Sequence, residues 1–226
     1  HCIRETSNNR FTKKDKRSNI PQIEELIRVS KVAVFFIDDR QIVRPNEIGS
    51  ADYIRDYAEG LGCDVAEFTL EAQFRCNGSE AFVNWVNNTL SIQNTANVLW
   101  TGDEGFDFQI VDSPEALDDA IRTRANEGDS ARLMAGFCWP WSKPNADGTL
   151  AEDVQVDGWV RPWNAKPDAG RLAKDIPKSS LWAYDSNGID QVGCIYTAQG
   201  FEFDYAGVIF GLALKYDPDN SEWVGD

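Results

Sequence analysis

Hydrophobic positions in this chain follow two periods, one typical of helices and one typical of buried strands. Helical spacing begins after Pro21, Ser50, Ser79 and Ser113, which are residue types that suit the cap or the first turn of a helix. Gly128 follows the last of these segments and predicts its end. The pattern therefore predicts four helices, and the helix that begins at Ser113 carries the clearest signals.

Apolar segments of strand length lie between and after these helices. The predicted strands are Val32–Ile37, Val65–Leu70, Phe106–Val111, Arg132–Trp139, Val192–Tyr196 and Val208–Leu212. The first is a continuous apolar run, which is typical of a strand buried on both faces of a parallel sheet. Strands that alternate with helices predict the α/β class, with a parallel sheet flanked by helices.

The alternation breaks down between Pro140 and Ser180. This stretch is rich in Pro, Gly, Asp and Trp, a composition that predicts an irregular insertion or a hairpin. Its tryptophans can either pack the insertion against the core or stack on nucleobases. We favour packing, because large aromatic side chains are most often used in this way.

Composition limits the class of protein. A chain of 226 residues with 42% hydrophobic residues is typical of globular proteins and can form one complete domain and part of another. No apolar run is long enough to cross a bilayer, and the N-terminus has no signal-peptide core, so we expect a cytoplasmic protein. The five cysteines are scattered and the single histidine is His1. We therefore predict reduced thiols and no metal site.

Charge is distributed unevenly along the chain. The net charge is −15, but residues 1–45 hold ten basic and six acidic residues, a net of +4. The remainder carries −19, which opposes nonspecific binding to nucleic acid because such binding depends on Lys and Arg. Any track for a phosphate backbone is therefore predicted on the first segment or on parts of the protein outside this chain.

Polar residues directly follow two of the predicted strands. Asp38-Asp39-Arg40-Gln41 follows the first strand, and ligands in open α/β folds bind at this carboxyl edge. Gln73 and Arg75 follow the second strand, and an arginine so placed can stabilise the charge of a transferring phosphoryl group. The alternatives are a solvated turn in the first case and an arginine paired with a nearby carboxylate in the second.

The most informative stretch is residues 195–211. Thr197-Ala-Gln-Gly-Phe-Glu-Phe-Asp204 joins two apolar segments without a spacer. A plain strand-turn-strand connection explains the apolar residues, but it does not explain so many polar groups. Backbone amides and carboxylates in such a turn can hold a phosphate or a ribose.

These three segments resemble motifs III, IV and V of superfamily 1 helicases in their order and spacing. The Thr-Ala-Gln-Gly-X-Glu-Phe-Asp form of the third is typical of Schlafen-type helicase domains, and His1-Cys2-Ile3-Arg4 resembles the residues that end motif II. The chain is thus similar to the Schlafen group 3-like DNA/RNA helicase domain family. The resemblance implies a RecA-like P-loop NTPase fold, with an incomplete first domain at 1–60 and a second domain at 61–226 that contains the insertion near 140–180.

The resemblance also implies roles for individual residues. Gln41 would sense the γ-phosphate and Arg75 would be the arginine finger, so these two are the catalytic candidates. Thr197 would contact the nucleic-acid backbone or link it to the nucleotide site, and Arg40 would also bind nucleic acid. The residues implied to bind nucleotide are Asp38, Asp39, Gln73, Gln199, Gly200 and Glu202.

ATP and Mg²⁺ are the cofactors that the resemblance implies, and single-stranded DNA or RNA is the implied partner, along with the N-terminal and C-terminal parts of the same polypeptide. The sequence contains no Gly-X-X-X-X-Gly-Lys-Ser/Thr phosphate loop. We therefore expect that this chain does not hydrolyse ATP by itself. Two alternatives stay open: a nucleotide-dependent switch ATPase without a nucleic-acid track, and a non-catalytic binding module.

Overall fold

The computed structural model describes residues 3–9, 11–39, 48–69, 75–103 and 105–225, with Arg75 described by its backbone alone. The chain divides into two compact units, His1–Glu71 and Ala72–Asp226. The sequence predicts a domain boundary between residues 60 and 61, and this stays a prediction.

The first unit is built around two helices, α1 (Gln22–Arg28) and α2 (Ala51–Gly60), which follow a 3-10 turn at Lys14–Lys16. The Ser50 hydroxyl accepts a hydrogen bond from the backbone N–H of Tyr53 at 3.1 Å, which confirms Ser50 as the predicted cap of α2. The Tyr57 hydroxyl donates to Glu24 at 2.8 Å and joins α2 to α1. Ile23 of α1 is completely buried.

Three of the predicted strands are wrong. The described residues of Val32–Ile37, Val65–Leu70 and Phe106–Val111 belong to no strand, apart from an isolated bridge between Asp103 and Phe106. Phe36, Phe68 and Ile110 are each more than four-fifths exposed. An apolar run becomes a strand only when a neighbour accepts its backbone hydrogen bonds, and none of the ladders in the described part includes these segments.

The second unit begins with a kinked 3-10 turn at Arg75–Gly78, followed by helices α3 (Glu80–Thr89) and α4 (Pro114–Glu127). Ser79 and Ser113 cap these two helices through their hydroxyls, as predicted. Gly128 ends α4 with a φ of 102°, a left-handed conformation that glycine adopts without steric cost.

A small parallel sheet lies beside α4. Strand β1 (Ala131–Ala135) is central, with β4 (Gly193–Cys194) on one side and β5 (Tyr205–Ile209) on the other. Leu133 of β1 and Ile121 of α4 belong to one buried cluster on one face of the sheet. The second unit is therefore mixed α/β with a small parallel sheet packed against a helix, which confirms the predicted class.

Trp182 covers the other face of this sheet. Its indole is completely buried, and a Cβ added to Gly193 would lie 2.2 Å from one of its ring carbons. The buried Arg132 donates to the carbonyls of Trp182 at 3.2 Å and Asp185 at 2.6 Å. Burial lowers the pKa of the Arg132 guanidinium below its ordinary value.

The Trp-rich stretch packs into the core. It contains an antiparallel hairpin of β2 (Val154–Val156) and β3 (Trp159–Arg161). Trp159 and Trp163 are buried in the same cluster as β1 and α4. These tryptophans therefore hold the stretch against the sheet, as the packing interpretation predicts.

The remaining elements are short. They are two 3-10 turns at Ser179–Leu181 and Ser186–Asp190, helix α5 (Ile195–Ala198), and a terminal antiparallel hairpin of β6 (Leu214–Asp217) and β7 (Glu222–Gly225). The Trp223 indole donates to the carbonyl of Thr89 at 2.6 Å and joins this hairpin to the end of α3. No helix among the described residues has the length and apolar character that a bilayer crossing requires.

Candidate functional site

The connection between β4 and β5 carries four of the ten predicted site residues, Thr197, Gln199, Gly200 and Glu202. Because both strands run parallel to β1, the chain must return from the carboxyl edge of the sheet to its amino edge. Helix α5 follows β4 directly, Gln199 and Gly200 form the turn, and residues 201–204 lead back to Tyr205. We call residues 195–204 the return loop.

Thr197 lies inside the protein at the start of the return loop. Its side chain is 9% exposed, and its hydroxyl accepts a hydrogen bond from the Asn164 amide at 3.0 Å. The Ser179 hydroxyl lies 3.4 Å from the same oxygen. The Thr197 hydroxyl therefore belongs to a buried network in this conformation.

Asn164 is the centre of this network. It is completely buried, and its Oδ1 accepts the backbone N–H of Cys194 at 2.9 Å. Its backbone N–H donates to the carbonyl of Val192 at 2.8 Å. Sequence reasoning missed Asn164, because a single asparagine in a Pro/Gly/Trp-rich stretch is typical of a surface turn. The signal that could have found it is its position directly after Trp163.

The middle of the return loop alternates between half-buried and exposed side chains. The rings of Phe203 and Trp182 have centroids 5.9 Å apart, and those of Phe201 and Tyr184 are 5.5 Å apart. Glu202 lies between the two phenylalanines and is exposed, as is Gln199. The phenylalanines therefore fix the loop to the protein while the Glu202 carboxylate faces outward.

Gly200 has a φ of +93° and no atom within 4 Å of the position that a Cβ would occupy. Its positive φ, and not a lack of space, is the reason for a glycine here in this structure. The absence of a side chain also leaves the backbone of the turn open.

Asp204 closes the return loop at the amino edge of the sheet. Its carboxylate accepts the backbone N–H of Ser130 at 2.8 Å and the Ser130 hydroxyl at 2.6 Å. These hydrogen bonds stabilise the ionised form, so they hold the pKa of Asp204 below its ordinary value. Asp204 thus fixes the end of the return loop to Ser130.

The structure describes two predicted site residues of the first unit, Asp38 and Asp39, and both are exposed. Asp39 Oδ1 accepts the backbone N–H of Ala51 at 2.9 Å, so this carboxylate lies at the start of α2. Arg40 and Gln41 lie outside the described residues.

Gln73 and Arg75 are the predicted site residues at the start of the second unit. Gln73 is outside the described residues, and the side chain of Arg75 is not described. The Arg75 backbone begins the turn at Arg75–Gly78, in which Cys76 and Asn77 have left-handed conformations with φ of 53° and 54°. Asn77 donates to the carbonyl of Gly105 at 2.9 Å, which connects this turn to the segment after α3.

A depression of about 440 Å³ lies at the amino edge of the sheet, beside Ser130, Arg122 and Arg132. Its arginines already have internal partners. Arg122 forms ion pairs at 2.8 Å with both Asp118 and Asp190, and Arg132 donates to backbone carbonyls. Among the residues that line this depression, no cationic side chain is therefore available to bind an anionic ligand.

No group of three or more His, Cys, Asp or Glu side chains among the described residues could hold a metal ion. The return loop nevertheless offers the open backbone of Gly200 and the exposed carboxylate of Glu202.

An uncharacterised protein of Saccharomyces cerevisiae is 26% identical over 219 residues, which cover 88% of this chain and 45% of the yeast protein. The chain thus spans about half the length of this curated relative. No solved structure matches the chain. A sequence model of the Schlafen group 3 DNA/RNA helicase domain matches residues 3–226, so the chain belongs to the Schlafen group 3 DNA/RNA helicase domain family.

Proposed function

We propose that this chain is part of an ATP-dependent helicase or translocase core that couples ATP hydrolysis to movement on single-stranded DNA or RNA. The family match over residues 3–226 supports the class of protein. The proposal places a RecA-like second domain in the unit that contains the parallel sheet, and the end of a first RecA-like domain in the preceding unit. ATP would bind between two such domains in the complete polypeptide.

The observation that carries the proposal is the outward position of Glu202 on a loop that is anchored on both sides. Phe201 and Phe203 pack against Tyr184 and Trp182, and Glu202 is exposed between them. A carboxylate held in this way can accept hydrogen bonds from the hydroxyls of a ribose. The open backbone at Gly200 can approach a phosphate, so Gln199, Gly200 and Glu202 are proposed to line the nucleotide site.

The remaining roles are proposed from the family. Gln41 would sense the γ-phosphate, Arg75 would stabilise the charge that develops on the transferring phosphoryl group, and Asp38, Asp39 and Gln73 would support the nucleotide. Arg40 would contact nucleic acid. Mg²⁺ is implied by the family, and we assign no magnesium ligand in this chain.

Thr197 has two implied roles, contact with the nucleic-acid backbone or a link between that backbone and the nucleotide site. Its buried hydroxyl favours the link, because a hydroxyl that is already hydrogen-bonded inside the protein is not available to a strand.

A second candidate is a nucleotide-dependent switch ATPase that has no nucleic-acid track. The acidic character of the chain favours it, since the net charge is −15 and phosphate backbones are repelled by such a surface. In that case nucleotide binding would change the conformation of the protein without movement along a strand.

One experiment distinguishes these candidates. ATP hydrolysis by the full-length polypeptide is measured with and without single-stranded DNA and single-stranded RNA, at several salt concentrations. A motor is stimulated by at least one of the two polymers, and the stimulation weakens as salt rises. ATP turnover that no polymer stimulates supports the switch, and no turnover at all excludes both candidates.

A further inference from the structure

We propose that Asn164 is the positioning residue of the return loop, so that the Trp-rich stretch and the loop behave as one body. The inference concerns the loop of the proposed function and rests on that function only for its catalytic consequence. Two contacts carry it: the Asn164 amide oxygen accepts from Cys194 N–H, and its amide nitrogen donates to the Thr197 hydroxyl.

The backbone around Asn164 extends the sheet beside β4. Val192 N–H donates to the carbonyl of Pro162 at 2.9 Å, Asn164 N–H donates to the carbonyl of Val192 at 2.8 Å, and Trp163 forms a parallel bridge with Val192. The side chain of Asn164 is therefore delivered to the point at which β4 ends and α5 begins.

The contacts of the side chain define its orientation. Of the two polar atoms of the Asn164 side-chain amide, only the oxygen can accept a hydrogen bond from the Cys194 N–H. The amide nitrogen must therefore face the opposite way. That nitrogen donates to the Ala165 carbonyl at 2.9 Å and to Thr197 Oγ1 at 3.0 Å. One asparagine thus holds the last residue of β4 and the third residue of α5 at the same time.

The short helix α5 needs such an anchor. It contains only Ile195–Ala198, and its N-cap residue Cys194 makes no capping hydrogen bond through its side chain. A single helical turn is not stable without tertiary contacts. Because the Asn164 side chain is completely buried, water cannot replace the hydrogen bonds that are lost when this side chain is removed.

The geometry also connects the core to the exposed part of the loop. A change at Asn164 moves Thr197, and Gln199, Gly200 and Glu202 follow it within five residues. Asn164 itself is completely buried and touches no ligand, so its effect on any ligand must pass through the loop.

Amide hydrogen exchange of the full-length polypeptide tests the inference directly. Asn164→Ala should speed exchange of residues 194–203 by about tenfold or more, because the loop loses its anchor. Thr197→Val should also speed exchange of residues 194–203. Thr197→Ser keeps the hydroxyl, so its exchange should stay as slow as that of the wild type.

The matched control is Trp141→Phe. The Trp141 indole donates to the backbone carbonyl of Asn164 at 2.8 Å, so this variant removes a neighbouring hydrogen bond and leaves the Asn164 side chain in place. If Asn164→Ala and Trp141→Phe speed exchange of residues 194–203 equally, the positioning role is wrong and Asn164 only contributes general stability.

A second readout separates this inference from the proposed function. In the full-length protein, Asn164→Ala should lower the ratio of nucleic-acid-stimulated to basal ATP turnover by about tenfold, while Trp141→Phe keeps the ratio. If nucleic acid stimulates ATP turnover by the wild type but Asn164→Ala leaves the ratio unchanged, the positioning role of Asn164 is wrong and the proposed motor is unaffected. An unstimulated wild type overturns the proposed motor, and the exchange measurement still decides the role of Asn164.

Discussion

Ser130 and Asp204 exchange three hydrogen bonds across the amino edge of the parallel sheet. The Ser130 backbone and hydroxyl both donate to the Asp204 carboxylate, and the Asp204 backbone N–H donates to the Ser130 hydroxyl at 2.9 Å. Thr197 is held by Asn164 at the other end of the same loop. The segment that carries Glu202 is therefore held at both ends, and the Glu202 side chain between them is exposed.

The Asp204 contact predicts a stability that depends on pH. Its pKa is lowered in the folded protein, so its contribution is complete above the unfolded value of about 3.9 and is lost as the pH falls through the folded value. Asp204→Asn should therefore reduce the free energy of unfolding at neutral pH, and the difference from wild type should shrink below about pH 4. Chemical denaturation at a series of pH values measures this difference.

Glu202→Gln is the matched control for that series, because Glu202 is exposed two residues away in the same loop. It should leave the free energy of unfolding unchanged at neutral pH. A pH-independent loss of stability in Asp204→Asn would show that the carboxylate charge has no part in the contact.

Gly200→Ala should destabilise the protein by about 1–2 kcal/mol, because alanine is strained at a φ of +93°. The space around Gly200 is open, so no steric overlap contributes. Gly170→Ala serves as the control, because the space around Gly170 is also open and its φ lies outside the left-handed range. Equal unfolding free energies for the two variants would contradict the conformational argument.

Local signals in the sequence predict the helices well. Ser50, Ser79 and Ser113 each cap the helix that follows them, because a hydroxyl that accepts the first free N–H groups needs no distant partner. The prediction of a strand at Val32–Ile37 is wrong because a strand, unlike a helix cap, needs a distant partner. Whether an apolar run becomes a strand depends on a neighbour in space, and its sequence carries no information about that neighbour.

The position of the candidate site could be predicted in part. The motif at residues 197–204 identifies the return loop, and parallel topology explains why it crosses from one edge of the sheet to the other. The sequence does not reveal that Thr197 faces inward and Glu202 outward, because that depends on Asn164 and Trp182 in distant parts of the chain.

Asp118 joins α4 to the hairpin of the Trp-rich stretch. Its buried carboxylate accepts from Arg122 at 2.8 Å, from the Trp159 indole at 3.2 Å and from Arg161. Asp118→Ala should lower the free energy of unfolding by about 3 kcal/mol, because two arginines and an indole N–H lose their acceptor. Asp119→Ala removes the exposed neighbour and should change it by less than about 0.5 kcal/mol, as denaturant titration of both variants can determine.

Gly193 allows Trp182 to pack against the sheet. A Cβ at this position would lie 2.2 Å from the indole, so Gly193→Ala must displace the ring or the strand. We expect a loss of about 1–3 kcal/mol in the free energy of unfolding. Gly193→Ala combined with Trp182→Phe should lose less than the sum of the two single variants, whereas strict additivity would mean that the ring and the glycine do not oppose one another.

The proposed arginine finger makes the most direct prediction about chemistry. In the full-length protein, Arg75→Ala should lower the ATP turnover rate by a factor of about 10³–10⁵. Nucleotide affinity should stay nearly the same, because an arginine finger acts on the charge of the transition state more than on the bound ground state. Turnover and the Kd of a non-hydrolysable ATP analogue are measured for Arg75→Ala and for Arg171→Ala, which removes an exposed arginine from the Trp-rich stretch. Wild-type turnover in Arg75→Ala would remove this residue from the mechanism, and an equal loss in Arg171→Ala would point to a general effect of charge.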